Sequence, residues 1–318
     1  MKINNYTNYK ARVFYGYDFQ NNPQYTLVIK ANYQYNSKGN LYCISNGESI
    51  FACDFFRDKY NNSSIVAAEE SMPYKCGSEF IVYAKTAVQY EKLKIAKILI
   101  GVNKHDYEIE KGLVIFPKRI WKKKFFKYRI KSLGFLESIP ITYEHAFGGV
   151  DQFDSSKVFN QNPIGKGFSY HTKSFESLQL PLIENIDHQI SSPKDKPNTV
   201  GLTPIPKFYE PRLQTCIDRT ANQFNVAPLD QQFKTPFLPG DEIYFSGIQS
   251  VMHAGKNILF VPNTSIHVLL NTIKNKIALS GHCDTLILNA NANTLSLVFR
   301  YPIVIKHLER EVVININS

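Results

Sequence analysis

Short runs of aromatic and β-branched residues, broken by polar turn signals, pattern the first third of this chain. Residues 12–19 (RVFYGYDF) and 25–35 (YTLVIKANYQY) are dense in such side chains, and the second run partly alternates between apolar and polar positions. That pattern predicts half-buried strands. Ser37-Lys38-Gly39-Asn40 turns the chain into a short strand over 41–44. Further strands are predicted over 79–89, 93–102 and 106–109, and Lys111-Gly112 reads as a turn into 113–116. Connections this short make an antiparallel meander the economical arrangement. The best short helix candidate is 65–71.

Beyond residue 139 the text changes. Until about 241, Pro, Gly and Asn are frequent and apolar residues come in short bursts such as NPIGKGF, LPLIEN and KPNTVGLTPIPKFYEPR. Extended segments and ordered loops fit such text better than helices. An ordered stretch of this length without regular elements is uncommon and usually reports function or partner contact. From residue 242 strands return, with Asn289-Ala290-Asn291-Ala292-Asn293 as a hairpin connection. The expected fold is therefore mainly β, with sandwich-like antiparallel sheets, a long irregular Gly/Pro-rich middle segment and little helix. The chain reads as one unit over 1–318, divisible into an N-terminal β region (1–135), a loop-rich wrap (136–240) and a C-terminal β region (241–318).

Composition sharpens this in three ways. Hydrophobic residues make up 43% of the 318 residues, enough for a sizeable core. The excess of Lys and Arg gives a net charge of +10, which suits nucleic acid, an anionic membrane face or an acidic protein partner without choosing among them. The 5 cysteines (Cys43, Cys53, Cys76, Cys216, Cys283) are widely spaced with no CxxC pair, so neither a disulfide framework nor a zinc ribbon is expected. The N-terminus has no apolar leader pattern, and no run approaches the roughly 18 apolar residues of a membrane span. A cytoplasmic protein with no membrane partner is expected.

Catalytic signatures are missing from the text. There is no G-x-S-x-G elbow and no P-loop, and Gly165-Lys166-Gly167 lacks the rest of a dinucleotide fingerprint. Cys283 has His282 and Asp284 as neighbours, but adjacent residues in a strand face opposite ways, which favours a structural role. His105, His145, His171, His188, His253, His267, His282 and His307 show no paired metal-ligand spacing. No cofactor, no metal and no catalytic residue is assigned. Glu144 and His145, followed by Phe147-Gly148-Gly149, form the strongest polar candidate. An enzyme, hydrolase- or toxin-like, using Glu144, His145 and Asp151 is the first alternative.

Residues 118–131 concentrate Lys118, Arg119, Lys122, Lys123, Lys124, Lys127, Arg129 and Lys131 around Trp121, Phe125, Phe126 and Tyr128. Cations beside stacking rings suit single-stranded nucleic acid, the second alternative. No recognised RNA-binding motif accompanies them, so a solvated basic strand or loop over a partly buried Trp is the preferred reading.

Taken in order, several motifs resemble a known family. They are Tyr15-Gly16-Tyr17-Asp18, Pro73-Tyr74-Lys75 with Gly77, Lys118-Arg119-Ile120-Trp121, and Pro140-Ile141-Thr142-Tyr143-Glu144-His145-Ala146-Phe147-Gly148-Gly149. Asn162-Pro163-Ile164-Gly165-Lys166-Gly167-Phe168, Gly201-Leu202-Thr203-Pro204, Ala227-Pro228-Leu229-Asp230-Gln231, and Asp284-Thr285-Leu286 with Phe299-Arg300 follow. Together they resemble the bacterial "domain of unknown function 2169" over nearly the whole chain. Gln214-Thr215-Cys216-Ile217-Asp218 stands where that family usually carries a Gly-Thr-Tyr-Asp-like motif.

The resemblance implies a non-enzymatic adaptor or chaperone. Its partners would be a type VI secretion effector, a PAAR-type tip or a VgrG-type spike protein, which it helps to load. Under that reading Tyr143, Glu144, Phe147, Gly148, Gly149, Asn162, Pro163, Gly165 and Gly167 form a structured partner-binding surface flanked by Arg119 and Trp121. The competing account of the same residues is a folding signature: glycines for tight turns, aromatics for the core, Glu144 tied to backbone amides.

Overall fold

In the computed structural model, which describes residues 2–58, 62–87, 93–105, 107–170, 175–219, 222–252, 255–272, 275–304 and 313–317, the strand Pro23–Tyr35 divides its side chains between two environments. The parts of the sequence reading that fall on Gln89, Asp106, His171, His253 and His307 lie outside these residues. Leu27, Ile29, Ala31, Tyr33 and Tyr35 point one way, into apolar cores. Thr26, Val28, Lys30 and Asn32 point the other way and are also buried. Both faces of this strand are therefore covered, which explains a run that reads as nearly continuous rather than cleanly alternating.

Pro23–Tyr35 belongs to a seven-stranded sheet whose order is Gln232–Phe233, Ser78–Tyr83, His282–Asn289, Thr294–Val304, Pro23–Tyr35 and Lys10–Tyr17, with Leu41–Cys43 also pairing on Pro23–Tyr35. A five-stranded sheet runs Ile183–Asn185, Glu108–Ile115, Ala96–Asn103, Glu242–Ser246 and Asn257–Phe260. The two pack face to face as a sandwich. Phe80, Val82, Leu286, Leu288 and Leu297 of the first meet Ile98, Ile100, Leu113, Ile243 and Phe245 of the second. A smaller four-stranded sheet (Lys2–Asn5, Val313–Asn317, His267–Asn271, Lys276–Leu279) covers Leu27, Ile29, Tyr301 and Ile303 on the same side of the large sheet. The fold is mainly β and mostly antiparallel, with no closed barrel.

Four details differ from the sequence reading. The N-terminal strands do not form a meander of their own: Pro23–Tyr35 pairs with Thr294–Val304, and Ser78–Tyr83 lies parallel to His282–Asn289. Strands from both chain ends thus interleave in one sheet, a non-local pairing that local patterning cannot reveal. Lys111-Gly112 is no turn but mid-strand in Glu108–Ile115, where a Cβ on Gly112 would sit 2.5 Å from Ile186 Cγ2. The candidate helix at 65–71 contains instead the strand Ile65–Ala67, paired with Phe55–Phe56. The one α-helix among the described residues, Glu210–Ile217, lies in the stretch read as loop. Pro211 sits in its first turn, where a missing N–H costs nothing, and it spans only 8 residues, too short for a clear period.

The second face of the large sheet is charged yet buried. The Lys75 ammonium pairs with Glu79 and donates to the Thr285 hydroxyl at 2.8 Å. The other Glu79 oxygen accepts from the Val226 and Ala227 amides at 2.7 and 2.8 Å. Arg300 pairs with Asp284, and donates to the carbonyls of Met72 and Glu70, each at 3.0 Å. Lys30 reaches Glu70 at 3.0 Å. A bulge between Cys283 and Thr285 lets Asp284 and Thr285 serve this face together, while Cys283 stays in the apolar core. Burial raises the Cys283 thiol pKa far above its ordinary value, which suits the structural role read from the sequence. None of the five cysteines is bridged.

Asp284→Ala would leave the Arg300 guanidinium buried without its carboxylate. We expect a loss of about 3–5 kcal/mol in denaturant unfolding. A loss below about 1 kcal/mol would mean that the Met72 and Glu70 carbonyls suffice on their own.

Candidate functional site

The segment around Tyr143 meets the segment around Asn162 at backbone contact. Phe147–Gly148 and Lys166–Gly167 form a two-strand parallel pair, with the Lys166 amide donating to Ala146 O at 2.9 Å and the Phe168 amide to Gly148 O at 3.0 Å. The fully buried Asn162 side chain closes the crossing from inside, its Nδ2 donating to Tyr143 O at 2.8 Å and to Phe147 O at 3.0 Å. The main-chain carbonyl of Asn162 accepts from the Gly149 amide at 2.8 Å.

Glycine is required here by geometry. Gly148 and Gly149 have φ of 148° and 103°. A Cβ on Gly148 would lie 2.2 Å from Asn162 O, and one on Gly165 2.4 Å from Asn162 Nδ2. The two longest motifs of the sequence are therefore the two halves of one crossing. Phe147 packs with Trp121, Phe168, Phe175, Leu178, Leu180 and Ile190 beneath it. Arg119 completes the assembly, pairing with Glu184, donating to Pro181 O at 2.8 Å and stacking 3.6 Å from the Phe116 ring centroid. Burial pushes this pair toward its neutral forms, lowering the Arg119 pKa and raising that of Glu184.

The structure thus brings together every residue singled out for the candidate surface, Arg119 and Trp121 included. It does not turn most of them outward. Arg119, Trp121, Tyr143, Phe147, Gly148, Gly149 and Asn162 are buried, and Glu144, Pro163, Gly165 and Gly167 are half-buried. Their visible work is to hold the segment's fold.

Glu144 is tied to Ser64, accepting from its amide at 2.8 Å and its hydroxyl at 2.6 Å. Burial alone would raise the Glu144 pKa, but hydrogen bonds from Ser64, Thr142 and its own amide together outweigh it and hold the carboxyl below its ordinary value. Burial, with Lys166 adding to it, lowers the His145 pKa, and His145 Nδ1 is buried without a hydrogen-bond partner among the described residues. Asp151 accepts from the Phe153, Asp154 and Tyr170 amides and from the Ser169 hydroxyl. These carboxylates organise loops, and no hydrogen bond among those described joins them to His145.

Sequence reasoning missed the cleft on the other side of Tyr143, a largely apolar opening with a charged floor. A cavity of about 320 Å³ opens there, lined in part by Lys111, Gln161, Ile205, Leu229 and Asp230. The Lys111 ammonium donates to Gly201 O and Asp230 Oδ1, each at 2.6 Å, and to Gln231 Oε1 at 3.0 Å. Burial lowers its pKa, with Asp230 opposing. Three acceptors use all three ammonium protons, so Lys111 buttresses the cleft floor. Its signal was the Asp230-Gln231 motif, but nothing in the text linked that motif to residue 111. Among the described residues no group of three or more His, Cys, Asp or Glu could hold a metal ion, and no helix is long and apolar enough to cross a membrane.

Residues 20–300 match the profile of a family described as "Uncharacterized protein conserved in bacteria (DUF2169)". No curated protein and no solved structure matches the chain.

Two outcomes follow from this geometry. Gly148→Ala should destabilise by about 2 kcal/mol or more in thermal or denaturant unfolding, since a strained φ adds to the clash. Gly134→Ala, with nothing within 4 Å of its Cβ, should be nearly neutral. Equal effects would refute the crossing. For Glu144, the folded pKa lies below the unfolded one. Its charged form therefore stabilises the fold above the unfolded value, and the contribution is lost as pH falls through the folded value. The stability gap between wild type and Glu144→Gln should be full at neutral pH and shrink below about pH 4. A pH-independent gap would sink the assignment.

Proposed function

From the premise that the chain belongs to this bacterial family, we propose that it is a cytoplasmic, non-enzymatic adaptor or chaperone. In this reading it binds a type VI secretion effector or a PAAR-type tip protein and assists its loading onto a VgrG-type spike. The observation that carries the reading is the character of the stretch 139–241. Apart from one 8-residue helix it is nearly devoid of long regular elements among its described residues, yet its backbone is bonded to itself and to both large sheets. It holds its shape while presenting Phe153, Phe208, Ile217 and Leu229 to solvent.

A rigid, irregular surface with outward apolar side chains suits protein recognition, because little has to be ordered on binding. The acid–base candidates support the same reading. Both Glu144 oxygens accept from Ser64, and Asp151 is engaged by four donors, so neither is poised for proton transfer. Docking on this stretch would use its exposed apolar side chains, with the buried Tyr143, Phe147 and Trp121 supporting them from below.

Co-expression with PAAR-type tip and type VI effector proteins from the same genome, followed by affinity purification, tests the proposal. We expect a stoichiometric, salt-resistant complex. Ile217→Asp with Leu229→Asp should weaken it at least tenfold without lowering the melting temperature, as loss of apolar contacts at a hot spot does. Soluble tip and effector proteins that show no association would overturn the adaptor reading.

A further inference from the structure

The basic aromatic run folds into a feature whose tip and exposed cations neither the sandwich nor the adaptor reading uses. Arg119–Lys124 and Lys127–Ser132 form an isolated two-stranded hairpin, closed by a two-residue turn at Phe125-Phe126. We propose that this hairpin is a docking arm for an anionic lipid surface: the two Phe rings enter the bilayer and the cations behind them meet the headgroups.

The tip is the first observation. Phe125 and Phe126 are 85% and 97% exposed, so neither ring contributes to a core. Phe125 also has a φ of 54°, a left-handed conformation that two-residue hairpin turns normally assign to Gly, Asn or Asp. Packing cannot account for the ring, and local conformational preference opposes it. Strain of this kind persists where the residue is needed for something else.

Charge is the second observation. Register puts Lys122 opposite Arg129, Lys124 opposite Lys127, and Lys131 opposite Ile120, so five cations share one face of the ribbon. All five are exposed, and no carboxylate pairs with them among the described residues. Residues 118–132 contain no Asp or Glu at all. Like charges directly opposite one another destabilise a strand pair, and an anionic surface relieves that repulsion.

Geometry selects lipid among anionic partners. At roughly 3.3 Å per residue, the Lys124–Lys127 pair lies about 3 Å behind the tip and the Lys122–Arg129 pair about 10 Å behind it. The headgroup layer of a bilayer is roughly 5–8 Å deep on each side. The two rows of cations therefore bracket that layer while the rings reach the hydrocarbon. A single-stranded nucleic acid would need its stacking rings among the cations on the same face. The other aromatic rings of the hairpin are on the opposite face: Trp121 is buried, and Tyr128 packs edge-on against Phe175. The root is fixed as well, with the Trp121 amide donating to Leu178 O at 3.1 Å and the Leu180 amide to Arg119 O at 2.9 Å. The tip is thus presented from a rigid base.

The test is co-sedimentation of the full chain with vesicles of phosphatidylcholine alone and of phosphatidylcholine mixed with an equal part of phosphatidylglycerol. Binding is expected only to the mixed vesicles, and it should weaken as salt is raised. Lys124→Ser with Lys127→Ser should lower partitioning about twenty-fivefold, near fivefold for each cation removed. Phe125→Ser with Phe126→Ser should lower it at least tenfold through lost apolar burial. Phe125→Gly should weaken partitioning and at the same time raise the melting temperature, because it relieves the left-handed strain. Absence of binding to the mixed vesicles at low salt would overturn the proposal, as would binding by the Phe and Lys variants as strong as that of the unmodified chain. If these variants instead abolish a complex with a tip or toxin protein, or binding of oligothymidylate, while vesicle partitioning is unchanged, the arm belongs to that partner and the lipid assignment fails. The adaptor reading stands or falls separately, on co-purification with a tip or effector protein.

Discussion

Burial of charge on the second face of the seven-stranded sheet is the constraint on which most of this architecture depends. Glu79, Asp284, Thr285, Arg300 and Lys30 come from four strands that span nearly the full chain, and all are withdrawn from water. Ions so placed are tolerable only if each finds its counter-charge and its remaining hydrogen bonds. The partners come from the covering loops: Lys75 and Glu70 on one side, the amides of Val226 and Ala227 on the other. Loops without regular structure are held on the sheet by this requirement, where the sandwich core alone would leave them free to shift. The opposite face is ordinary apolar packing, and it contributes most of the favourable free energy. The charged face contributes register and specificity of docking.

A second constraint, steric in origin, acts on the middle of the chain. Two segments cross so closely that only glycine fits at Gly148, Gly149 and Gly165, and the Asn162 side chain satisfies the carbonyls that the crossing strands leave over. This node rests on the aromatic cluster around Trp121 and Phe147. The basic hairpin grows out of the same cluster, since Trp121 is a member of both. The crossing, the cluster and the arm are one mechanical unit: a rigid base below, with a strained and exposed tip above. Rigidity at the base allows the tip to be presented in a fixed orientation, and the strain at Phe125 marks the position where stability has given way to another demand.

The cleft beside Tyr143 links the two constraints. Its floor, Lys111, lies on the five-stranded sheet, and the acceptors that hold it, Gly201, Asp230 and Gln231, belong to the covering stretch. The two layers therefore meet through a saturated ammonium. The apolar side chains exposed around this stretch lie on a backbone whose described residues are hydrogen-bonded to the sheets and to one another.

Much was legible in the sequence because it depends on neighbours in the chain. Strand text, the hairpin connection at 289–293 and the scarcity of helix follow from local residue types and spacing, whereas the amide that Glu144 accepts from belongs to Ser64, far away in the chain. Glycine at Gly148 and Gly149 announced unusual backbone angles before any partner was known. What the sequence could not decide was which distant strand lies beside which. Pro23–Tyr35 and Ser78–Tyr83 carry the same apolar text whether they pair locally or with the C-terminal strands, and only the closed sheet selects the latter. For the same reason the buried roles of Lys75, Lys111 and Arg300 were invisible: a lysine reads as surface until tertiary structure brings its acceptors to it. Tyr143, Phe147 and Trp121 show the reverse, since a motif aromatic reads as surface or core alike until the layers close. Local sequence determined what each segment is, and long-range packing decided which way each side chain faces.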